Sequence, residues 1–372
     1  MLNYKTIAMA FKKKFPFNEL PHLPPAQINL ETPGILRQLA KASRHLGELN
    51  GLCASLPDPQ LLINTIVLQE SKNSSAIENI VTTQDELYKA ASEDDTASVA
   101  AREVLSYREA LYAGLKKMKA QKNLLLVKTM VEIVQTIKQN KAGIRNTPGI
   151  TLKNAINGEV IYTPPCCEEV IREKLTHLEK FINDNEYSSL DPLLKMTLIH
   201  YQFEAIHPFA DGNGRAGRII NALYLVQQDL LTQPVLYLSA YIVKHKTEYY
   251  QLLRGITEKN NWHDWIMYLL TALIETAKLT TKKIKEMLIL RDAYEKQMKK
   301  ILGASFNYDL LKLMFTLPYL KIELLTKNEI AHRQTAAVWL KKLVDADILK
   351  TQKIGRTTYY INYKLMELLA SS

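Results

Sequence analysis

Apolar residues recur three and four positions apart along most of this chain, a spacing that commits it to helices before anything else about it is considered. The stretches 31–51, 59–72 and 96–121 each carry one such stripe. A further helix opens at Asp191-Pro192, a capping residue followed by the residue type best suited to a first helical turn. It runs to Ile206 with Leu194, Leu198, Tyr201 and Ala205 on one face, and Lys278 to Lys300 reads as a long basic amphipathic helix. Two segments resist the pattern. Four prolines between Pro16 and Pro25 forbid a helix or central strand and predict an extended arm over the surface. Ile150 to Pro164 sets Asn157-Gly158 between two short β-prone runs, which predicts a hairpin with an exposed tip.

With 372 residues and 47% hydrophobic content, the chain has material for two or three domains and too much apolar surface to stay disordered. Its three cysteines, Cys53, Cys166 and Cys167, build neither a disulfide framework nor a zinc knuckle, which fits a reducing cytoplasm. The start, MLNYKTIAMAFKKK, shows no cleavage site, and the apolar window from Trp265 to Ile274 is too short for a span. The expectation is a soluble, unprocessed cytoplasmic protein without a membrane partner. A net charge of +10 favours a negatively charged partner and is silent about the reaction.

The residues richest in chemistry run from His207 to Arg218, HPFADGNGRAGR, between the helix ending at Ile206 and another through Ile219, Ile220, Leu223 and Val226. Gly212 and Gly214 flank Asn213, a run that can aim successive N–H groups at one anion just where a helix begins. Arg215 and Arg218 can project from one face toward successive phosphates. Asp211 offers a hard oxygen for magnesium, and an imidazole such as His207, with an ordinary pKa of about 6.5, suits proton removal at neutral pH. The literal Gly212-x-Gly214-x-x-Gly217 string lacks the preceding strand and following acid of a dinucleotide fingerprint, and no Walker loop occurs. The arginines taken alone read equally well as solvated helix charges.

The string matches every defined position of HxF-x-[DE]-GNGR-xx-R and so resembles the Fic (filamentation induced by cAMP) family, over roughly residues 15 to 300. The resemblance implies a mainly α fold: a helical Fic core with a β-hairpin flap, plus a C-terminal winged-helix domain. Its expected limits are 1–100 for the arm and inhibitory-helix region, 101–300 for the core and 301–372 for the winged helix-turn-helix. The implied activity is transfer of AMP from ATP, with Mg²⁺, to a Ser, Thr or Tyr hydroxyl of a protein substrate, the chain itself among the candidates.

By the same resemblance His207 is the general base and Asp211 the magnesium ligand. Gly212, Asn213 and Gly214 hold the α- and β-phosphates, Arg215 the β-phosphate charge and Arg218 the γ-phosphate, while Phe209 anchors the turn in the core. Glu159, Val160, Ile161, Tyr162 and Thr163 edge the flap, which aligns the target by strand addition. Tyr249 and Tyr250 wall the adenine pocket, or else form an aromatic core pair. Ser74-Ser75-Ala76-Ile77-Glu78-Asn79 resembles the inhibitory signature [ST]xxxE[GN], in which Glu78 competes for Arg218. By itself Ser75-x-x-Glu78 reads as a capping box.

Residues 301–372 hold ten Lys or Arg against six acids. Helical patterns at Asp309–Leu317 and His332–Ala346 precede a hairpin turning near Gly355, the layout of a winged helix-turn-helix. Arg333, Gln334 and Thr335 would open the recognition helix and Arg356 sit on the wing, for DNA or for protein docking, homodimerisation included. Two other functions stay open: a DNA-binding regulator whose core senses nucleotide, and phosphorylation on the same scaffold.

Overall fold

The computed structural model describes residues 11–26, 28–56, 59–92, 97–147, 149–153 and 157–370. Met1–Ala10, Thr96 and Asn154–Ile156, on which parts of the reading above fall, lie outside them. The helices are α1 (Pro33–Ala54), α2 (Pro59–Ile77), α3 (Gln84–Ala91), α4 (Val99–Ala120) and α5 (Val127–Lys138). After β1 (Leu152–Lys153) and β2 (Val160–Tyr162) come α6 (Glu168–Asn183), α7 (Pro192–Ile206), α8 (Asn213–Gln227), α9 (Ser239–Lys244), α10 (Lys246–Lys259) and α11 (Trp262–Leu302). The chain closes with α12 (Tyr308–Thr316), β3 (Tyr319–Leu320), α13 (Ile322–Lys327), α14 (Arg333–Asp345), β4 (Lys350–Ile354), β5 (Thr357–Ile361) and α15 (Tyr363–Ala370). The fold is mainly α.

Two compact units form. The first comprises residues 1–43, 109–229 and 245–272. At its centre α7 packs on α6 and α8, and α8 on α5. Asp191 caps α7 by accepting the Leu193 N–H at 2.7 Å, with Pro192 in the first turn. The sequence assigned α7 one buried face, yet Lys195, His200 and Gln202 are buried as well. Each has a partner that makes this tolerable: Lys195 lies 5.1 Å from the Phe181 ring, His200 meets the Tyr249 hydroxyl at 2.9 Å, and Gln202 donates to the Pro21 carbonyl at 2.9 Å. The proline-rich arm forms no helix or strand among its described residues and is bound to this unit through such main-chain groups.

The second unit comprises residues 44–108, 230–244 and 273–372. Here α2 packs against α9, α12 and α15. The buried Glu70 carboxylate accepts from the Ser239 N–H at 3.0 Å and the Tyr107 hydroxyl at 3.2 Å. A three-stranded antiparallel sheet has the order β3-β5-β4, with α13 and α14 inserted between β3 and β4 and the β4–β5 turn made at Gly355 with φ +57°. Among the described residues no helix is long and apolar enough to cross a membrane.

Candidate active site

The α7 helix stops at His207, whose left-handed backbone (φ 49°, ψ 58°) turns the chain while its N–H still bonds to the Phe203 carbonyl at 3.0 Å. A β-carbon in this region costs about 1–2 kcal/mol, so neighbouring contacts must hold it there. Arg145 supplies them. Its Nε donates to the His207 carbonyl at 2.7 Å and its Nη2 to the carbonyls of Pro165 at 2.5 Å and Ile206 at 3.4 Å. Its main-chain N–H reaches the Pro208 carbonyl at 2.9 Å. One buried residue thereby fixes three consecutive carbonyls, and burial lowers its own pKa.

Beyond His207 the turn is closed from within. Phe209 is buried against Phe203, their ring centroids 6.4 Å apart. The Asn213 side chain accepts the Phe209 N–H at 2.9 Å and donates to the Phe209 carbonyl at 2.8 Å. Since both amide atoms are so engaged, an anion at this turn would be met by main-chain N–H groups rather than by the Asn213 side chain. Gly212 precedes α8 at φ +84°, where any side chain would be strained.

Asp211 receives the Gly212 N–H at 2.6 Å and the Lys138 ammonium at 2.6 Å. Burial acts to raise this carboxyl, but Lys138, the Gly212 N–H and Arg215 outweigh it and hold it below its ordinary range. It is therefore an anion on an exposed rim. No cluster of three His, Cys, Asp or Glu suited to a metal occurs among the described residues. One ionised carboxylate beside an anion-receiving turn fits a magnesium ion held mainly by phosphates and water, the way that ion is commonly bound.

Arg215 and Arg218, on the first turns of α8, are 1% and 3% exposed, which rules out solvated surface charges. The helix that carries them lies close on α7, since a β-carbon at Gly217 would fall 2.6 Å from Glu204 Oε1 and 3.3 Å from Phe203 Cδ1.

The hairpin forms as β1 and β2, antiparallel, with Asn157, Gly158 and Glu159 exposed at its tip. The Asn157 side chain accepts the Glu159 N–H at 3.0 Å, an Asx turn. Tyr162 is buried and donates its hydroxyl to the Ala205 carbonyl at 2.8 Å, tying the strand to the end of α7 two residues before His207. Thr163 is buried too, so Glu159, Val160 and Ile161 are the accessible part of this edge. On α10, Tyr249 is 1% exposed and sits among His200, Trp265 and Tyr268, whereas Tyr250 is 45% exposed. Tyr249 is thus a core residue, and only Tyr250 shows its ring to solvent.

Comparison with known proteins gives three family matches along the chain. Residues 36–116 match the Fic/DOC family N-terminal model, 124–225 the Fic/DOC family model, and 290–365 the C-terminal domain of SoFic-like protein adenylyltransferases. The chain belongs to the Fic/DOC family. It is 32% identical to protein adenylyltransferase fic-1 of Caenorhabditis elegans over 63 residues, 17% of this chain and 12% of that protein. It is 49% identical over 43 residues to a probable protein adenylyltransferase of Aquifex aeolicus, 12% of this chain and 13% of that one. The matches thus span about an eighth of these relatives' length.

Among solved structures, a Fic family protein from Desulfovibrio desulfuricans superposes with a TM-score of 0.58 at 17% identity, covering 89% of this chain and 96% of that one. Residues 134–508 of C. elegans Fic-1 superpose at 0.51 and 17% identity, covering 67% and 73%. At such identities the likeness establishes the fold.

In this Fic chain the Ser74–Asn79 segment belongs to the second unit and ends α2 rather than starting a helix. The Glu78 N–H bonds to the Ser75 carbonyl at 3.0 Å, and Asn79 turns left-handed at φ 63°. The capping-box reading is therefore corrected, because Ser75 lies in the last turn of a helix. The capping box occurs downstream at α3, where Thr83 and Glu86 exchange side-chain and main-chain bonds. Ser74 is buried. Arg333, Gln334 and Thr335 are exposed on the first turn of α14, and Arg356 is exposed in the β4–β5 turn. Sequence reasoning missed Arg145, Lys138 and His200. The first two act on residues of the turn more than 60 positions away, Arg145 also on Pro165, and no local pattern marks them.

Proposed function

We propose that this chain transfers AMP from ATP to a Ser, Thr or Tyr hydroxyl of a protein. The observation that carries the reading is the clamped turn. His207 is locked at the end of α7, Asp211 is held ionised, and the N-terminus of α8 with Arg215 and Arg218 follows within twelve residues. The hydroxyl oxygen attacks the α-phosphorus, its proton passes to the His207 imidazole, and the bond to the β-phosphate oxygen breaks to release pyrophosphate. Main-chain N–H groups of Asn213 and Gly214 and the two guanidinium groups stabilise the phosphate charge. Magnesium, held by Asp211, would supply further charge neutralisation. Incubation with α-labelled ATP and magnesium tests the reading: His207→Ala should lose protein labelling while keeping its helical spectrum. Persistent labelling would remove the imidazole from the mechanism.

Glu78 serves in this reading as a restraint on Arg218, denying the γ-phosphate its guanidinium. Support comes from its resemblance to the inhibitory signature and from its placement in a fixed turn after α2. Glu78→Gly should raise the labelling rate, and an unchanged rate would end the idea. A second role is favoured by the exposed Arg333, Gln334, Thr335 and Arg356, which suit a winged helix-turn-helix contacting DNA. A fluorescent duplex should then bind with salt-sensitive affinity, and absence of binding at low salt would leave this surface to protein contacts.

A further inference from the structure

We propose that an open cleft between the amino-terminal arm and α10 recognises an acidic stretch of the protein being modified, so that targets carry Asp or Glu near the modified hydroxyl. This rests on the transferase reading above. The cleft, of about 620 Å³, is lined by Phe11, Lys12, Lys13, Lys14, Phe15, Arg254 and Glu258. Four cations face a single carboxylate in that lining, and Glu258 is already engaged by Arg254 at 2.7 Å. Lys13 pairs with Glu159 at the flap tip. Lys12 and Lys14 are exposed, and among the described residues neither has a carboxylate within ion-pair distance. Two positive charges are therefore left for a partner.

Their position follows from how the arm is fastened. A turn bonding the Phe15 N–H to the Lys12 carbonyl at 2.9 Å gathers the three lysines. The Phe17 N–H donates to the Thr163 carbonyl at 3.0 Å and the Thr163 hydroxyl to the Lys13 carbonyl at 2.7 Å, so the arm is tied to the end of the flap strand. The Thr163 carbonyl is directed to the arm rather than to β1, and Ile161, two residues earlier on the same strand, shares that edge. A strand added at Ile161 would run directly beside the lysines. The local field is felt at the flap tip, where Lys13 first, then Arg254 and Lys14, hold the Glu159 carboxyl below its ordinary range. Phe15, 65% exposed, gives the cleft an apolar floor suited to a side chain. An adjoining strand edge together with an aromatic surface favours a peptide over a nucleic acid.

The test uses the full chain and fluorescein-labelled twelve-residue peptides with one central Thr flanked by Glu or by Lys, read by polarisation at low salt and by transfer of α-labelled AMP. Glu-flanked peptide should bind about tenfold more tightly, as a few exposed charge pairs allow, and the Lys12→Glu/Lys14→Glu double variant should abolish or reverse that preference. Arg254→Glu should reduce it independently. Equal binding of the two peptides, a preference that survives the double variant, or equal competition by a single-stranded oligonucleotide of matching charge would each overturn the inference. Transfer without preference sinks this inference alone. Preference without transfer to any peptide, by the Glu78→Gly chain as well as the parent, sinks the transferase reading and leaves the acidic-peptide surface standing.

Discussion

Replacing Arg145 with alanine removes the guanidinium that ties the Ile206 and His207 carbonyls to that of Pro165, while the main-chain bond from residue 145 to the Pro208 carbonyl remains. The structure gives two short bonds from its guanidinium, 2.7 Å to the His207 carbonyl and 2.5 Å to the Pro165 carbonyl, and a longer one of 3.4 Å to Ile206. A bond from a charged donor contributes roughly 1.5–3 kcal/mol, so the two short ones together are worth about 3–6 kcal/mol. Water entering the vacated space satisfies part of the carbonyls, which favours the lower end, about 3 kcal/mol. The left-handed conformation of His207 then loses its support, and displacement of a catalytic group by about 1 Å costs about 100-fold in rate. Urea unfolding followed by helical signal reads the stability, and AMP labelling under conditions where the variant stays folded reads the rate. Arg145→Lys keeps the charge but not the planar fork, and should fall between alanine and the parent in both. A variant with unchanged midpoint and unchanged labelling would refute the clamp. Lost stability with unchanged labelling would confine Arg145 to folding.

Further expectations follow from single residues. Gly212→Ala should cost about 1–2 kcal/mol in urea unfolding, because φ +84° is strained for any β-carbon, and should depress labelling by tilting the start of α8. Burial first, and then Arg218, lowers the His200 pKa to about 3, against an ordinary value of 6.5. The unfolded chain therefore takes up this proton before the folded one. Its stabilising contribution is whole above pH 6.5 and is lost as pH falls from there toward 3, at up to about 1.4 kcal/mol per pH unit. His200→Gln should flatten the acid limb of urea midpoints by that slope, and an unchanged limb would show that other groups govern it. Cys53 is buried with its thiol pushed up to about 11, whereas Cys166 and Cys167 lie nearer the surface. Intact mass after brief maleimide treatment should show two adducts, with a third only after denaturation.

Local sequence carried a good deal of this. Asp191-Pro192 fixes where α7 begins, because capping and a missing N–H are properties of two adjacent residues. Asn157-Gly158 marks the described part of the hairpin loop, with Gly158 at φ +69° and the Asn157 side chain accepting the Glu159 N–H, and Gly355 at φ +57° marks the β4–β5 turn, since each is set by its own dihedral preferences. The run from His207 to Arg218 displayed its chemistry because the base, the acid and the anion-receiving turn are covalent neighbours. Ser75-x-x-Glu78 misled for the same reason: a four-residue pattern cannot tell the last turn of one helix from the first turn of another.

What lay beyond reach was everything set by packing. Whether Tyr249 is core and Tyr250 surface depends on α10 pressing one ring against His200 and Trp265, which periodicity leaves undecided between adjacent aromatics. The burial of Arg215 and Arg218 reflects the crowding of α8 on its neighbours, while their own spacing would suit a solvated face as well. The sequence by itself determined the helices, the two turns and the reactive string, because those depend on residues a few bonds apart. Tertiary structure alone decided that Arg145 would grip the catalytic turn and that Lys138 would face Asp211, because hydrogen bonds and ion pairs depend on distance in space, which the order of residues does not record.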